Sequence, residues 1–328
     1  MSKKSISVVI PTFNGKNLLE ENIPFLLKSL ASENLDFEIL ICDDASSDNS
    51  ISFLQTNYPD FIVLKNEVNK GFSPTINLGI LKASKDLVFI LNNDVKMTDY
   101  YFEKQFKYFE KEDTFGVMGK IVGTESETQD TAKYPNYEGL KVKGSTNFEL
   151  SDAPADFWIP TFMLSGANAL IDRKKIQLLG GFDEIYAPFY WEDVDLSVRA
   201  WRLGWKSYYE PNSSCIHPTS TTIGKLFKKK HVSIISDRNK FIFHTLHLDK
   251  NKQTSYRSKL FFKYLGCIFV FRISFLKSYH AFLQRKNQVQ ESRANLIKLS
   301  QKTGELLELS EIKSYILNEI KPFEVRKF

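Results

Sequence analysis

The stretch FEILICDDASSD, residues 37–48, decides the fold. Its first six residues are mostly apolar, which is typical of a strand buried on both faces. Asp43 and Asp44 follow at the end of that strand, and residues 46–48 then offer N-cap side chains for a helix that reaches Leu54. A buried strand that leads through two acids into a helix is one repeating unit of an α/β fold.

The same unit recurs on both sides of this stretch. Apolar runs predict further strands at 5–10, 61–64 and 87–91, and apolar residues at helical spacing predict helices over 17–30 and 73–82. Strands that alternate with helices of this length form a mostly parallel sheet with helices on both faces. We therefore predict an α/β, Rossmann-like architecture, in which ligands bind at the carboxyl ends of the strands.

The middle of the chain is less regular. Its patterns predict a helix over 100–110, a strand over 117–122, loops with a possible edge hairpin over 123–156, a strand around Gly166 within 162–172, a short helix over 174–179 and a last strand over 205–209. Long loops beside a site often shape a substrate pocket, although a plain surface insertion fits the composition equally well.

Composition indicates a globular protein of 328 residues with one large domain and an addition, since 42% of the residues are hydrophobic and 25% are charged. The three cysteines are far apart and form neither a zinc knot nor a disulfide framework, which fits a reducing compartment. Pro11 breaks the first apolar run before a signal core could form. We therefore predict a cytoplasmic protein and leave open a peripheral position on the inner face of the cell membrane.

The stretch FYWEDVDLSVRAWRL, residues 189–203, places a tryptophan and three acids at the start of a helix. Glu192, Asp193 and Asp195 lie in its first turn, where the helix dipole favours negative charge. An acid on a rigid helix start is well placed to act as a base. The alternative is a charge cluster that only stabilises the helix, and this stretch alone leaves both interpretations open.

Polar residues at the predicted strand ends are the other candidates. Asp94 follows a strand and two asparagines, so it could bind a hard divalent cation through oxygen, or it could be a turn residue. His217, in a loop before Pro218, could complete a metal site, or it could be a surface histidine. Asp43 and Asp44 could accept hydrogen bonds from a base or ribose, or they could form a turn. No Walker A or GxGxxG motif occurs.

Several motifs occur together in a fixed order, and this favours the functional interpretation of these residues. SVVIPTFNG (7–15), ICDDASSDNS (41–50), NKGF (69–72) with Asn77, FILNND (89–94), GGFDE (180–184), WEDVDLSVRAWRLGW (191–205) and His217 together resemble the family 2 glycosyltransferases, which have a GT-A fold. The resemblance covers residues 5–218, and its most specific motif is WEDVDLSVRAWRLGW. The chain is most similar to bacterial rhamnosyl- and galactofuranosyl-transferase-like proteins that build surface polysaccharides.

The resemblance implies a role for each matching residue. Asp193 matches the catalytic base, and Asp94 and His217 match the metal site, although Asn92-Asn93-Asp94 stands where the fuller metal motif is DxD. Pro11 and Thr12 match the nucleotide pocket. The implied substrate-binding residues are Pro11, Thr12, Asn14, Asp43, Asp44, Asn69, Gly71, Asn77, Asn93, Gly166, Trp191 and Glu192.

The implied reaction is an inverting, Mg²⁺- or Mn²⁺-dependent transfer from a nucleotide diphosphate sugar, with a dTDP- or UDP-sugar expected, to a glycan or lipid-linked saccharide. The resemblance implies a catalytic domain over 1–221, with a nucleotide-sugar half over about 1–98 and an acceptor half over about 99–221. A catalytically silent sugar- or nucleotide-binding module on the same fold is the alternative. Nucleic-acid binding through the basic tail is disfavoured, because the acids at the predicted strand ends would repel phosphates.

The remainder, 222–328, predicts a basic, helical C-terminal extension with helices over 225–248, 256–283 and 288–320. His244 and His247 are three residues apart, but no acid stands in ligand register, so we do not interpret them as a metal site. The apolar stretch 261–276 has only sixteen residues and two cations, too short and too charged to cross a bilayer. Contact with a membrane surface, with a second subunit or with the catalytic domain all remain open.

Overall fold

The computed structural model describes residues 4–143, 146–218 and 228–328. Its strands are β1 Ile6–Thr12, β2 Phe37–Asp43, β3 Ile62–Lys65, β4 Leu87–Leu91, β5 Lys96–Met97, β6 Thr114–Val122, β7 Thr128–Asp130, β8 Ala132–Lys133, β9 Asn136–Glu138, β10 Lys141–Lys143, β11 Asn147–Leu150, β12 Ile159–Pro160, β13 Asn168–Asp172, β14 Lys206–Ile216 and β15 Val325–Lys327. Its α-helices are α1 Lys16–Ser32, α2 Ser50–Asn57, α3 Phe72–Lys82, α4 Arg173–Leu178, α5 Glu192–Arg202, α6 Lys229–His247, α7 Lys250–Phe269, α8 Ile273–Gln284, α9 Lys286–Thr303 and α10 Leu309–Ile320.

The central sheet has the strand order β12-β14-β6-β13-β4-β1-β2-β3. Strands β1, β2, β3 and β4 are parallel, β13 runs antiparallel between β4 and β6, and β14 pairs with β6 in parallel. Because β1, β2 and β4 run the same way, Thr12, Asp43 and Leu91 end at the same edge of the sheet. The predicted α/β class with a mostly parallel central sheet is confirmed.

Helices cover both faces of this sheet, as the alternation of side chains along β1 requires. Ile6, Val8 and Ile10 belong to the core layer that includes the buried residues of α1. Val9 belongs to the opposite layer with Ile80 of α3. The two layers cover both faces of the central sheet. A binding site can therefore form at the strand ends and not on the faces.

The predicted helix over 100–110 is wrong, because only Phe106–Glu110 is helical, as one short 3₁₀ segment. Tyr101, Phe102 and Tyr108 are buried in the core layer below α1. Their aromatic spacing therefore reflects packing of irregular backbone into the core and not one face of an α-helix. The predicted strand over 205–209 is longer than expected, since β14 runs from Lys206 to Ile216 and leads to His217.

The C-terminal part is helical but more divided than predicted. The predicted helix over 256–283 is interrupted at 270–272. The one over 288–320 is interrupted at 304–308, where Gly304 adopts the left-handed conformation with φ +84°. The last strand, β15, pairs with β11 beside the central sheet. The predicted domain boundary at 221/222 lies outside the described residues, and the domain division stays a prediction. Within the described ranges, no helix combines the length and the apolarity that crossing a bilayer requires.

Candidate active site

Helix α5 begins on two residues in the left-handed backbone region. Tyr190 has φ 72° and Trp191, the N-cap, has φ 76°. Non-glycine residues rarely adopt this conformation, so the surroundings must hold it. The Nδ2 atom of Asn239, on α6, donates to the carbonyl oxygens of Tyr186 at 2.6 Å, Phe189 at 2.9 Å and Tyr190 at 2.8 Å. Helix α6 therefore fixes the loop that presents the acids of α5.

Asp193 lies on the partly exposed side of the helix start. Its Oδ1 atom accepts from the backbone N–H of Val194 at 2.7 Å. Gly166 is adjacent, since a Cβ atom built there would lie 3.8 Å from the Cβ atom of Asp193 and 3.7 Å from the ring of Phe72. Burial raises the pKa of Asp193 to about 6, although Lys133 acts in the opposite direction. A carboxylate with this pKa is ionised at neutral pH and is a stronger base than an ordinary aspartate.

Glu192 differs from its neighbour. Burial, and then the negative charge of Asp193, raise its pKa well above the usual range for a glutamate. Its Oε2 atom has no hydrogen-bond partner in the described part of the chain. Burial and the adjacent charge therefore favour the protonated form of Glu192 more strongly than that of Asp193, which gives the two neighbouring acids different character.

Asp195, the third acid of this turn, is fully buried on the other side of α5. It accepts from Arg199 Nε at 2.6 Å, from the Tyr186 hydroxyl at 2.9 Å and from His247 Nε2 at 2.8 Å. Burial alone would raise the pKa of this carboxyl, but Arg199 and His247 outweigh burial and lower it. The guanidinium of Arg199 also donates to the backbone of Leu179 and of Gly181. Asp195 is thus the centre of a structural network.

Several of the predicted substrate-binding residues connect the loops that follow the strand ends. Asn14, with φ 50°, accepts from the backbone of Ser47 at 2.8 Å and of Asp48 at 3.3 Å. Asn93 donates to the Thr12 hydroxyl at 3.0 Å, which joins β1 to the loop after β4. These three residues lie at one edge of the sheet, where Pro11 is the residue of β1 that precedes Thr12.

The two acids after β2 have different surroundings. Asp44 accepts from the backbone of Lys70 and of Gly71, each at 2.8 Å, and from Asn66 Nδ2 at 2.9 Å. Asp43 is also buried, and its Oδ2 atom accepts from the backbone of Ser46, but its Oδ1 atom has no partner among the described residues. Asp44 thus orders the next loop, whereas Asp43 retains one acceptor for another donor.

The NKGF segment and Asn77 connect this edge to the loop before α5. Gly71 has φ +88°, and a Cβ atom there would lie 2.5 Å from the backbone of Pro188, so the close approach requires glycine. Asn69 Nδ2 donates to the Asp44 carbonyl at 3.4 Å. The amide of Asn77 binds the backbone N–H and carbonyl of Phe182, each at 2.9 Å. Asn77 is therefore engaged by the GGFDE segment, and its predicted contact with substrate stays untested.

Asp94 and His217 meet across the sheet edge. Asp94 Oδ1 lies 3.0 Å from His217 Nε2, and about an eighth of each side chain is exposed. Adjacent ligands of one octahedral ion with bonds of about 2.1 Å lie about 3 Å apart, so the pair fits two neighbouring positions around Mg²⁺ or Mn²⁺. In residues 4–143, 146–218 and 228–328, no group of three or more His, Cys, Asp or Glu side chains is placed to hold a metal ion, so Asp94 and His217 form a pair of such ligands and not part of a larger cluster.

Sequence reasoning missed the residues of α6 that support the site. Arg238 donates to the carbonyl of Ala187 at 2.6 Å, Asn239 binds the loop before α5, and His247 binds Asp195. They follow the acids by more than forty positions, in a segment whose local pattern is only that of a basic helix. No local signal identifies them, because their partners are mainly backbone carbonyls of a distant loop.

Comparison with known proteins identifies the family. The profile described as Glycosyl transferase family 2 matches residues 7–180, more than half of the chain. An N-acetylglucosaminyl-diphospho-decaprenol L-rhamnosyltransferase of Mycobacterium tuberculosis is 25% identical over 233 residues, which cover 62% of this chain and 74% of that protein.

Solved structures of similar fold include GalNAc-T7 with UDP, GalNAc and Mn²⁺, at a TM-score of 0.58 and 16% identity, where the match covers 76% of this chain and 49% of that chain. A second is the mannosyltransferase PcManGT from Pyrobaculum calidifontis with GDP-Man and Mn²⁺, at a TM-score of 0.53 and 14% identity, covering 98% of this chain and 87% of that one. These likenesses show the fold. With its profile match and its GT-A fold, the chain belongs to glycosyl transferase family 2 and is a glycosyltransferase.

Proposed function

We propose that this protein transfers a sugar, with inversion, from a nucleotide diphosphate sugar to a hydroxyl of a glycan or lipid-linked saccharide, with Asp193 as the general base. The observation that carries the proposal is the state of Asp193, a partly exposed carboxylate with a pKa raised to about 6 at a rigid helix start. The neighbouring Gly166 leaves room beside this carboxylate. Trp191 and Glu192, which precede Asp193 at the helix start, are proposed to line the acceptor side.

The reaction is a single displacement. The acceptor oxygen attacks the anomeric carbon from the face opposite the diphosphate, the bond between that carbon and the diphosphate oxygen breaks, and the acceptor proton passes to the carboxylate of Asp193. Attack from the opposite face inverts the anomeric centre. A positioned base of this kind contributes about 10²- to 10⁴-fold to the rate, and no covalent sugar intermediate on the protein is required.

Asp94 and His217 are proposed to hold Mg²⁺ or Mn²⁺ beside the diphosphate. Such an ion, when bound, neutralises negative charge on the diphosphate as a Lewis acid. The two side chains lie 3.0 Å apart and both retain some exposure, which supports a shared ligand. Asp94→Ala should weaken the metal-dependent part of donor binding in calorimetry, and an unchanged response to Mn²⁺ would remove Asp94 from the site.

The donor nucleoside is proposed to lie against the ends of β1 and β2, near Pro11, Thr12 and Asp43. The Oδ1 atom of Asp43, for which the described residues supply no partner, is a buried acceptor, and the N–H of a base or a ribose hydroxyl is a suitable donor. Asp44 then contributes by ordering Asn69, which donates to its backbone carbonyl, and Gly71, whose N–H donates to its carboxylate. We propose a dTDP- or UDP-sugar as donor.

The test is a panel of dTDP- and UDP-sugars with and without Mn²⁺, first by thermal shift and then by transfer to lipid-linked saccharide acceptors. The wild type should be stabilised by a donor and should transfer its sugar with inversion, as determined by NMR of the product. Asp193→Asn should retain donor stabilisation and lose about 10²- to 10⁴-fold in transfer rate. Asp60→Asn, at an exposed acid of the same type, is the matched control.

The outcomes separate the alternatives. Donor stabilisation without turnover in the wild type would favour the catalytically silent binding module. Loss of donor stabilisation in Asp193→Asn, with the control unchanged, would assign Asp193 to donor recognition in place of proton transfer.

A further inference from the structure

The hairpin of α7 and α8 ends in exposed apolar side chains. At its turn, Phe269 is 82% exposed, Val270 64% and Phe271 83%. Phe262 on α7 is 68% exposed and Ile273 at the start of α8 is 54% exposed. We call these five residues the apolar tip. Exposed aromatic and aliphatic side chains grouped at one end of a hairpin are typical of an interaction surface.

The chain around the apolar tip is uniformly basic. Residues 250–290 contain nine Lys and Arg residues and no Asp or Glu. Seven of the nine are exposed, including Lys259 and Lys263 before the turn and Arg272 and Lys277 after it. An apolar end flanked by cations on both sides complements a surface that is apolar inside and negatively charged outside.

The hairpin is packed firmly onto the rest of the molecule. The ring of Phe241, on α6, contacts Phe275 at 5.4 Å and Phe282 at 6.1 Å between ring centroids, and Tyr264 contacts Tyr279 at 4.6 Å across the hairpin. Helix α6 also carries Asn239, which holds the loop before the catalytic helix. Whatever binds the apolar tip is therefore connected through one helix to the site.

We propose that the apolar tip inserts into the interface of an anionic lipid bilayer, with the surrounding Lys and Arg residues on its headgroups. The hairpin does not cross the bilayer, in keeping with the shortness and charge of the stretch 261–276. Insertion of Phe269 and Phe271 removes two nearly fully exposed rings from water, and the cations add attraction to anionic lipid. Insertion would bring the active site close to a lipid-linked acceptor, and this part of the proposal rests on the proposed function. Binding to lipid does not depend on it.

Vesicle co-sedimentation of the full-length protein tests this surface, with phosphatidylcholine vesicles and with mixed phosphatidylcholine and phosphatidylglycerol vesicles. The wild type should bind the anionic vesicles and bind more weakly at high salt or on neutral vesicles. The double variant F269S/F271S should bind anionic vesicles about tenfold or more weakly. The control V68S/L81S removes two exposed apolar side chains of α3 and of the loop before it, and should bind as the wild type does.

Three results would overturn the proposal. Equal vesicle binding by the wild type and F269S/F271S would exclude the apolar tip. Absence of vesicle binding, with wild-type dimers in light scattering that F269S/F271S abolishes, would assign the apolar tip to a second copy of the chain. Salt-sensitive RNA binding without vesicle binding would assign the basic surface to nucleic acid. Thermal shift by the donor sugar, measured on the same variants, should be unchanged, so failure of the proposed function is detected separately.

Discussion

The two sides of the first turn of α5 hold carboxylates of opposite character. On one side, Asp193 is partly exposed, accepts one backbone hydrogen bond and has a raised pKa. On the other side, Asp195 is fully buried, accepts from three side chains and has a lowered pKa. The helix dipole favours both charges equally, so the difference comes from partners that other segments supply. One acid is thereby left reactive, and the other stabilises the fold.

The largest effect is expected from Asp195→Ala. Removing this carboxylate leaves Arg199 buried without its ionic partner and Tyr186 without its acceptor. Breaking a buried pair in this way costs about 3–5 kcal/mol, and the free energy of unfolding in urea should fall by that amount.

Asp193→Asn is the matched control for that measurement. Because burial raises the pKa of Asp193 above its unfolded value, its ionised carboxylate is less stable in the folded than in the unfolded state at neutral pH. Removing that charge should therefore leave stability unchanged or raise it. Equal destabilisation by the two variants would contradict the division between a reactive and a structural acid.

The next effect is expected from Asn239→Ala on α6. This change removes the donor to three carbonyls of the loop before α5, at a cost of about 1–3 kcal/mol. Transfer should fall as well, because Tyr190 and Trp191 lose the support of their left-handed backbone. Thr245→Val, which removes a hydrogen bond made within α6, is the control and should reduce stability without a comparable loss of transfer. Equal losses of transfer in both variants would mean that α6 acts only through general stability.

The contrast also marks the limit of what the sequence predicts. The buried strands β1, β2 and β4 and the helices between them follow from local patterns, because strand and helix periods are properties of short segments. The distinct states of Asp193 and Asp195 do not, since both acids occupy the same local pattern and His247 arrives from more than fifty residues away. The packing of Tyr101 and Phe102 likewise depends on tertiary contacts, and the break at 270–272 contains neither the glycine nor the proline that would mark it in the sequence.

A smaller effect is expected in the pH dependence of transfer. If the ionised form of Asp193 is the base, the rate falls about tenfold per pH unit below its pKa of about 6 and is level above it. The measurement is the pH profile of kcat/KM between pH 5 and pH 8, corrected for stability over the same range. Asp60→Asn should leave the profile unchanged. An acid limb with a midpoint near pH 4 would indicate that burial does not raise the pKa of the catalytic base, and would contradict the role given to Asp193.

The last prediction concerns His244, a buried histidine of α6. Burial lowers the pKa of His244 to about 4, and its Nε2 atom accepts from the backbone of Val142 at 3.0 Å, which requires the neutral ring. Since the unfolded state takes up the proton first, stability should decline as the pH falls from about 6.5 towards 4, by at most about 1.4 kcal/mol per pH unit for this group. His244→Asn, which cannot take up that proton, should show a shallower decline in urea unfolding. An identical slope would mean that other groups cause the acid sensitivity. Asp195 and His247, which are hydrogen-bonded to each other, would then be the next residues to substitute.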